Sequence, residues 1–285
     1  MREIAMDNLF DVRTMLFTPG NRPERFEKAK DAGADGVVID LEDAISLAEK
    51  DKTREIVINY FKHSSPIKKF SRALRINSIK TAAGLKDISG LLDNNISPDI
   101  LVIPKTEYPA EIIILDTLLK TKKIPYIALI ETSTGLHNAE QIALCSPQLQ
   151  AICFGGADLA SDLGATLSWE PMLASRSLLV RAAAMAGIAL FDVPYLNLHD
   201  TDDTGILEET KRVKALGYTG KFAIHPKHIK TILDVFTPSA DEVARAQRIV
   251  DAYNNAKGNV CEIDGKMIDV PVVRSAKRIL AIANR

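Results

Sequence analysis

The chain alternates between short apolar runs and longer stretches in which apolar positions recur at helical spacing. The apolar runs are almost uninterrupted and end in polar or small residues, a pattern typical of parallel strands buried on both faces. They cover residues 14–19, 36–40, 73–77, 100–104, 126–131, 151–155, 188–192 and 222–225. The stretches between them predict helices, including residues 22–32, 173–186 and 205–216.

Eight strand-like runs that alternate with helices predict a closed (β/α)₈ barrel of the TIM type. The competing α/β architecture is a doubly wound open sheet, which would place a glycine-rich phosphate-binding turn after its first strand. The corresponding segment here, PGNRP at residues 19–23, contains one glycine. The sequence therefore favours the barrel.

The predicted strands leave a long C-terminal segment that a barrel does not need. We therefore predict a barrel domain over residues 1–235 and a helical extension over residues 236–285. Within the extension, residues 238–256 predict an amphipathic helix capped by Ser239, and a last helix begins at Pro271. The extension is expected to pack on its own barrel or to reach a neighbouring subunit.

Composition excludes several classes of protein. The 36 basic and 37 acidic residues give a net charge of −1, so no overall field attracts nucleic acid or an anionic membrane. The three cysteines form no CxxC pattern, which favours a reducing compartment without disulfides. No run approaches the roughly 18 apolar residues of a membrane helix, and residues 1–13 lack the apolar core of a signal peptide. We expect a cytoplasmic protein.

Polar and charged residues collect where the predicted strands end, which is where a parallel barrel carries its active site. The residues at these positions are Asp40, Glu42, Asp43, Arg75, Asn77, Lys105, Glu107, Glu131, Asp158, Asp192 and His225. Because buried strands exclude charged residues, some charged residues are expected at strand ends even without a function there. A concentration of acids beside an arginine and a lysine nevertheless indicates a functional site.

Glu131 and Asp158 follow neighbouring predicted strands, about 4.8 Å apart in a parallel sheet. Their carboxylates can therefore meet on one cation, and two carboxylates completed by water and substrate suit Mg²⁺. The adjacent pair Gly155 and Gly156 allows close approach of a ligand and is expected to present backbone N–H groups to a carboxylate. The alternative is that Glu131 and Asp158 each cap a helix.

Arg75 is the candidate for binding an anionic substrate, since a guanidinium matches a carboxylate and remains charged. The alternative is a structural ion pair with Asp40 or Glu42. Lys105 at a strand end would also suit a Schiff-base aldolase, but the surrounding acids favour a protonated amine in an ion pair. His225 is expected to form a hydrogen bond within the barrel rim.

At these positions the chain resembles the HpcH/HpaI aldolase and citrate lyase β-subunit family, close to its citryl-CoA, malyl-CoA and citramalyl-CoA lyase branch. The resemblance runs through nearly the whole chain in family order. It is carried by LFTPGNRP (16–23), VVIDLEDA (37–44), LRIN (74–77), VIPKTE (102–107), LIETSTGL (129–136), FGGADLASDLGA (154–165), FAIHPKHI (222–229) and GKMIDVPVVRSAKRI (265–279).

The resemblance implies a barrel with a C-terminal extension, assembled as trimers or hexamers. It implies Mg²⁺, with Mn²⁺ as an alternative, on Glu131 and Asp158, and a substrate-binding arginine at Arg75. It also implies an acid/base role for Asp269, supplied across a subunit interface. From the residues alone, Asp269 is a helix N-cap before Pro271.

The function implied by the resemblance is Mg²⁺-dependent cleavage of a 3-hydroxyacyl-CoA of the citramalyl-, citryl- or malyl-CoA type to acetyl-CoA and a 2-keto acid. Alternatives are a malyl-CoA-type thioesterase and a CoA-independent class II keto-acid aldolase. The thioester could be borne by free CoA or by an acyl-carrier subunit. Substrate contacts are expected from Arg75, Glu131, Gly155, Gly156 and Ala157, and metal-bound waters from Glu42 and Asp43. At Ala157 several lyases of the family carry an acid, which bears on substrate selectivity.

Overall fold

In the computed structural model, which describes residues 9–200 and 202–283, eight strands pair in parallel in chain order. The strands are β1 (Met15–Pro19), β2 (Gly36–Asp40), β3 (Ser71–Arg75), β4 (Ile100–Ile103), β5 (Tyr126–Ile130), β6 (Leu149–Phe154), β7 (Ala189–Asp192) and β8 (Gly220–Lys221). Backbone hydrogen bonds from Phe17 N–H to Ala223 O (2.8 Å) and from Ala223 N–H to Met15 O (2.9 Å) join the last strand to the first. The predicted TIM barrel is confirmed.

The eighth strand differs from its prediction at residues 222–225. It covers Gly220–Lys221, where it pairs with Phe191 and Asp192 of β7, and the residues after it still bond to both neighbouring strands. Phe222 donates to Asp192 O in β7 at 3.0 Å, whereas Ala223 bonds to β1. His225 then caps a 3₁₀ turn by accepting a hydrogen bond from Lys227 N–H, which confirms the predicted bond at the barrel rim.

Helices surround the barrel. They are α1 (Lys28–Asp31), α2 (Lys50–His63), α3 (Ala82–Asp93), α4 (Pro109–Leu119), α5 (Ser133–His137), α6 (Ala139–Leu144), α7 (Gly156–Asp162), α8 (Trp169–Ala186), α9 (Thr204–Leu216) and α10 (Ile229–Phe236). The predicted helix over residues 22–32 is wrong in part, since its first turn is 3₁₀ (Pro23–Arg25) and only its end is α-helical. Within the described ranges, every helix is too short or too polar to cross a membrane.

Each strand contributes to two apolar layers, as the alternation of side chains along a strand requires. In β2, Val38 points into the barrel, where it packs in the same cluster as Met15 and Phe191. Val37 and Ile39 point outward and belong to the layer between the sheet and the helices. All five residues of β2 are buried, which explains the uninterrupted apolar runs of the sequence.

The C-terminal extension contains α11 (Ala240–Asn255), the hairpin β9 (Cys261–Ile263) and β10 (Lys266–Ile268), and α12 (Val270–Ala283). These elements share a small apolar cluster of their own. Ser239 caps α11, as predicted, in a reciprocal pair of hydrogen bonds with Glu242. The domain boundary at residue 235 stays a prediction. Residues 1–8, 201 and 284–285 of the predicted ranges lie outside the described residues.

One strand-end acid, Asp192, belongs to a buried ion network rather than to a site. Its side chain is 3.1 Å from Arg176 Nε and 2.6 Å from Lys221 Nζ, and all three residues are buried. Lys221 Nζ also lies 2.7 Å from a carboxylate oxygen of Glu209. The sequence analysis did not single out Arg176 or Lys221, which neutralise Asp192 from two other elements.

We expect Asp192→Asn to lower the free energy of unfolding by about 3 kcal/mol, because it leaves Arg176 and Lys221 with an excess of buried positive charge. The melting temperature should fall by roughly 5 °C in differential scanning calorimetry. Lys211→Ala removes an exposed ion pair with Glu208 and serves as the control, with an expected change within about 0.5 kcal/mol. Equal effects of the two substitutions would contradict the structural role of Asp192.

Candidate functional site

A cavity of about 500 Å³ opens at the C-terminal ends of the strands. Five charged side chains line it, namely those of Asp40, Asp43, Arg75, Glu131 and Asp158, together with Gly155 and Ala157. Six of the predicted site residues line this cavity, namely Asp43, Arg75, Glu131, Gly155, Ala157 and Asp158. A seventh, Glu42, lies beside it in contact with Arg75 and Lys105. A cavity of this size at this end of a barrel is the usual place for a small-molecule site.

Glu131 follows β5 and is almost fully buried. Its Oε1 accepts a hydrogen bond from the backbone N–H of Lys105 at 2.6 Å. A Cβ on Gly155, at the end of the neighbouring strand, would lie 2.3 Å from Glu131 Cβ and 2.8 Å from Glu131 Oε2. Glycine at position 155 is therefore required for the observed position of the Glu131 carboxylate.

The predicted donor role of Gly155 is wrong, because its N–H donates to Ile130 O at 3.0 Å. Gly156, Ala157 and Asp158 form the first turn of α7. Their N–H groups precede the first hydrogen bond within that helix and have no acceptor inside it. Of the predicted pair, only Gly156 therefore has an N–H without an acceptor inside the helix.

Neither carboxylate of the predicted metal pair is the N-cap of a helix. Thr132 caps α5, since its side chain accepts a hydrogen bond from Gly135 N–H at 3.0 Å. Gly155, which has no side chain, is the N-cap residue of α7. Asp158 lies in the first turn of α7 and is exposed to the cavity. The helix-capping alternative for Glu131 and Asp158 is therefore contradicted.

Arg75 forms the structural ion pair that was the alternative to substrate binding. Its Nε and Nη2 lie 2.7 and 2.6 Å from the two oxygens of Asp40, and Nη1 lies 3.0 Å from Glu42 Oε2. Burial opposes the charge of Arg75, but the hydrogen bonds and charges of Asp40 and Glu42 outweigh burial and raise its pKa. Arg75 still lines the cavity, so the paired arginine remains a candidate for contact with substrate.

Lys105 forms the predicted ion pair. Its Nζ lies 2.7 Å from Glu42 Oε1 and 3.3 Å from Asp43 Oδ1. Partial burial opposes its charge, but the hydrogen bond and charge of Glu42 raise its pKa. The amine is therefore protonated and unsuited to Schiff-base chemistry. Its backbone has φ 48°, a conformation uncommon for a residue with a side chain, and it directs the N–H toward Glu131.

The electrostatics of the acids favour a bound divalent cation. Burial, then the charge of Glu42 and to a smaller extent that of Asp158, raise the pKa of Glu131 to about 8. Burial also raises the pKa of Glu42, whose Oε2 makes an ionic contact with Arg75 but no hydrogen bond of good geometry. A cation would relieve this repulsion, and carboxylate oxygens are the ligands of Mg²⁺ and Mn²⁺.

A metal at this place would rest on two carboxylates. In the part of the chain that the structure describes, no group of three or more histidine, cysteine, aspartate or glutamate side chains is arranged to hold a metal ion. A magnesium site needs no third protein carboxylate, because Mg²⁺ retains several waters and takes further oxygens from substrate. The second-sphere roles of Glu42 and Asp43 stay predictions.

Asp269 confirms its predicted role as a helix N-cap. Its Oδ1 accepts a hydrogen bond from Val272 N–H at 3.3 Å at the start of α12. It is half-buried and is not among the described residues that line the cavity of its own chain. Any catalytic role of Asp269 therefore requires a neighbouring subunit, as the resemblance implies.

The sequence analysis missed an apolar side of the cavity. Val193, Pro194 and Leu196 follow β7, and Ile224 follows β8. The segment 193–198, VPYLNL, carries a detectable signal, since large apolar residues follow the end of a strand where polar residues are usual.

Comparisons with known proteins identify related sequences along nearly the whole chain. A family model described as HpcH/HpaI aldolase/citrate lyase matches residues 13–226. A second model, described as a C–C bond lyase of the TIM-barrel fold, matches residues 177–284 and so includes the extension.

Curated relatives are similar over almost their full length. The chain is 32% identical to citrate lyase subunit beta of Leuconostoc mesenteroides subsp. cremoris, covering 95% of this chain and 93% of that protein. It is 30% identical to an L-malyl-CoA/beta-methylmalyl-CoA lyase of Cereibacter sphaeroides, covering 94% and 93%.

Solved structures are similar in sequence and fold. RipC from Yersinia pestis is 40% identical with a TM-score of 0.73, covering 83% of this chain and 100% of that chain. CitE from Mycobacterium tuberculosis, in complex with magnesium, acetoacetate and coenzyme A, is 28% identical with a TM-score of 0.74, covering 96% and 98%.

We expect Glu131→Gln to change how stability depends on pH in protein kept free of metal by a chelator. Because the folded-state pKa of Glu131 is raised to about 8 from its usual 4.5, the folded state binds this proton more tightly than the unfolded state. The wild type therefore loses stability as the pH rises from about 4.5 to about 8, at about 1.4 kcal/mol per pH unit, whereas the variant lacks this loss.

The measurement is the melting temperature of both proteins from pH 5 to pH 9. The melting temperature of the variant minus that of the wild type should rise by roughly 5 °C or more between pH 5 and pH 9. Glu55→Gln, at an exposed position of α2, is the control and should show no such trend. A difference between Glu131→Gln and wild type that is independent of pH would contradict the raised pKa.

Proposed function

The chain belongs to the HpcH/HpaI aldolase/citrate lyase family, and on that premise we propose that it cleaves a carbon–carbon bond in a 3-hydroxyacyl-CoA with the help of Mg²⁺. The products are acetyl-CoA and a 2-keto acid. The substrate is of the citramalyl-, citryl- or malyl-CoA type, with a hydroxyl and a carboxylate on one carbon. The observation that carries the proposal is the pairing of Glu131 and Asp158 at one cavity in a chain whose relatives are carbon–carbon lyases.

Glu131 and Asp158 are the residues that would hold the metal. Magnesium is present in the structure of the similar CitE protein, and the buried carboxylate of Glu131, whose pKa is raised in part by the charge of Asp158, suits a cation. When bound, Mg²⁺ or Mn²⁺ withdraws electron density from the hydroxyl oxygen and the adjacent carboxylate of the substrate. Gly155 supports this arrangement because only a residue without a side chain leaves room for Glu131.

The remaining groups of the chain move the proton and position the substrate. Asp269 of a neighbouring subunit removes the hydroxyl proton. The carbon–carbon bond then breaks, its electron pair passes to the carbon next to the thioester, and the proton returned by Asp269 completes acetyl-CoA. Arg75, held in one orientation by Asp40, stabilises negative charge on the substrate oxygens.

The role of Asp269 implies an obligatory homo-oligomer, and the family resemblance implies a trimer or a hexamer. Asp269 does not line the cavity of its own chain, so a site that needs it is complete only when a second subunit supplies it. The small apolar cluster of the extension positions the segment, and the cap on α12 fixes the Asp269 carboxyl.

We expect purified protein to release a 2-keto acid and acetyl-CoA from at least one of citramalyl-CoA, malyl-CoA and citryl-CoA in the presence of Mg²⁺, and to stop when the metal is chelated. Glu131→Gln and Asp158→Asn should each lower kcat/KM at least about a hundredfold, because they weaken the metal site. Glu170→Gln, an exposed acid on α8, should leave kcat/KM unchanged.

Product analysis decides between the proposal and its alternatives. Free CoA without a keto acid would assign a thioesterase instead. Cleavage of a free hydroxy-keto acid without CoA would assign the aldolase, and turnover only of a carrier-bound thioester would assign a subunit of a larger lyase.

We expect Asp269→Asn to lower kcat by about 10² to 10⁴, as loss of a general base does. Mixing this variant with Glu131→Gln should restore activity, because a site with intact Glu131 can receive Asp269 from the other variant. Random exchange of subunits predicts recovery of about a quarter of the sites. No recovery after exchange, verified by native mass spectrometry, would place Asp269 outside the neighbouring site.

A further inference from the structure

The cavity has a charged side and an apolar side. Its acids and Arg75 come from the ends of β2, β3, β5 and β6. The other side, which we name the apolar wall, is formed by Phe17, Val193, Leu196, Phe222 and Ile224. Phe17 and Phe222 are in edge-to-face contact, with ring centroids 5.4 Å apart, where the barrel closes between β8 and β1.

Two large side chains of the apolar wall keep accessible surface at the cavity. Leu196 is 48% exposed and Ile224 is 39% exposed, whereas Val193 and Phe222 behind them are buried. Covering these side chains with an apolar group of a ligand is favourable in proportion to the area removed from water. A charged group in the same place would lose its hydration without a partner.

The cavity offers little positive charge to an anionic substituent. Among the described residues that line it, Arg75 is the only base, beside four acids, Asp40, Asp43, Glu131 and Asp158. Two of its guanidinium nitrogens are bound to Asp40, and the third lies 3.0 Å from Glu42. One substrate carboxylate can be neutralised at the metal and Arg75, but a second has no cation.

Resting on the proposed lyase function, we propose that the apolar wall receives an uncharged short alkyl group borne by the hydroxyl-carrying carbon of the substrate. The keto acid released is then R–CO–COO⁻, in which R is a methyl or ethyl group. A substrate with a carboxymethyl group in that position is rejected. Leu196 and Ile224 are the residues that determine this specificity.

The test compares three CoA thioesters that differ only in this substituent, namely hydrogen (malyl), methyl (citramalyl) and carboxymethyl (citryl), with Mg²⁺-loaded wild-type protein. Methyl should exceed hydrogen about tenfold in kcat/KM, the discrimination usual for one apolar group in a pocket. Methyl should exceed carboxymethyl at least about a hundredfold, because the second carboxylate is buried without a partner.

Leu196→Arg supplies a cation to the apolar wall and should weaken the preference for methyl over carboxymethyl. The ratio of kcat/KM for carboxymethyl over methyl should rise at least about tenfold, since a guanidinium pairs well with a carboxylate. Leu198→Arg is the matched control, because Leu198 lies in the same segment, is similarly exposed and does not line the cavity. It should leave the ratio unchanged.

Direct binding separates failure of this inference from failure of the proposed lyase function. Isothermal titration of the Mg²⁺-loaded protein with pyruvate, 2-ketobutyrate and oxaloacetate should give dissociation constants at least about tenfold lower for the two alkyl acids. This ranking without cleavage of any thioester would support the apolar wall and contradict the lyase function.

Three outcomes would overturn the inference. One is equal or better turnover or binding of the dicarboxylic ligand by the wild type. Another is an equal effect of Leu196→Arg and Leu198→Arg on the ratio. The third is loss of assembly by Leu196→Arg in light scattering, which would assign the exposed wall to a contact between subunits.

Discussion

Carboxylates of like charge lie close together in the buried mouth of the barrel, and the arrangement of the site depends on how their repulsion is offset. Asp40 accepts hydrogen bonds from two nitrogens of Arg75, and Glu42 forms an ion pair with the amine of Lys105. Glu131 receives one backbone N–H, and burial together with the charge of Glu42 raises its pKa to about 8. Arg75 and Lys105 thus form ion pairs with other acids, and neither pairs with Glu131. A bound divalent cation would therefore relieve the most repulsion at Glu131.

The backbone around this carboxylate is shaped to hold it. Gly155 leaves the space that Glu131 occupies, and the left-handed conformation of Lys105 directs its N–H to the same side chain. In the proposed function the acids act at the bond that is cleaved, while Leu196 and Ile224 line the same cavity with apolar surface. One cavity therefore has both a charged side and an apolar side, and the two proposals assign the reaction to the first and substrate selection to the second.

Much of the fold follows from local pattern. Uninterrupted apolar runs are required wherever a strand is buried on both faces, so their number and spacing predict the barrel and the places where its strands end. The prediction failed where the limits of a strand depend on distant partners. β8 lies at Gly220–Lys221, where it pairs with β7, and the apolar run at residues 222–225 carries no information about that register.

By itself, the sequence determined the barrel, the placing of Glu131 and Asp158 at neighbouring strand ends, and the cap formed by Asp269, because each depends on residues close together along the chain. It did not reveal what surrounds Asp192, which it listed with the other acids at the ends of predicted strands. Only the tertiary structure showed that Asp192 is neutralised by Arg176 and Lys221, whereas Asp158 faces the cavity. That distinction depends on charges supplied by elements far apart in the chain, whose distances are decided only when the barrel closes.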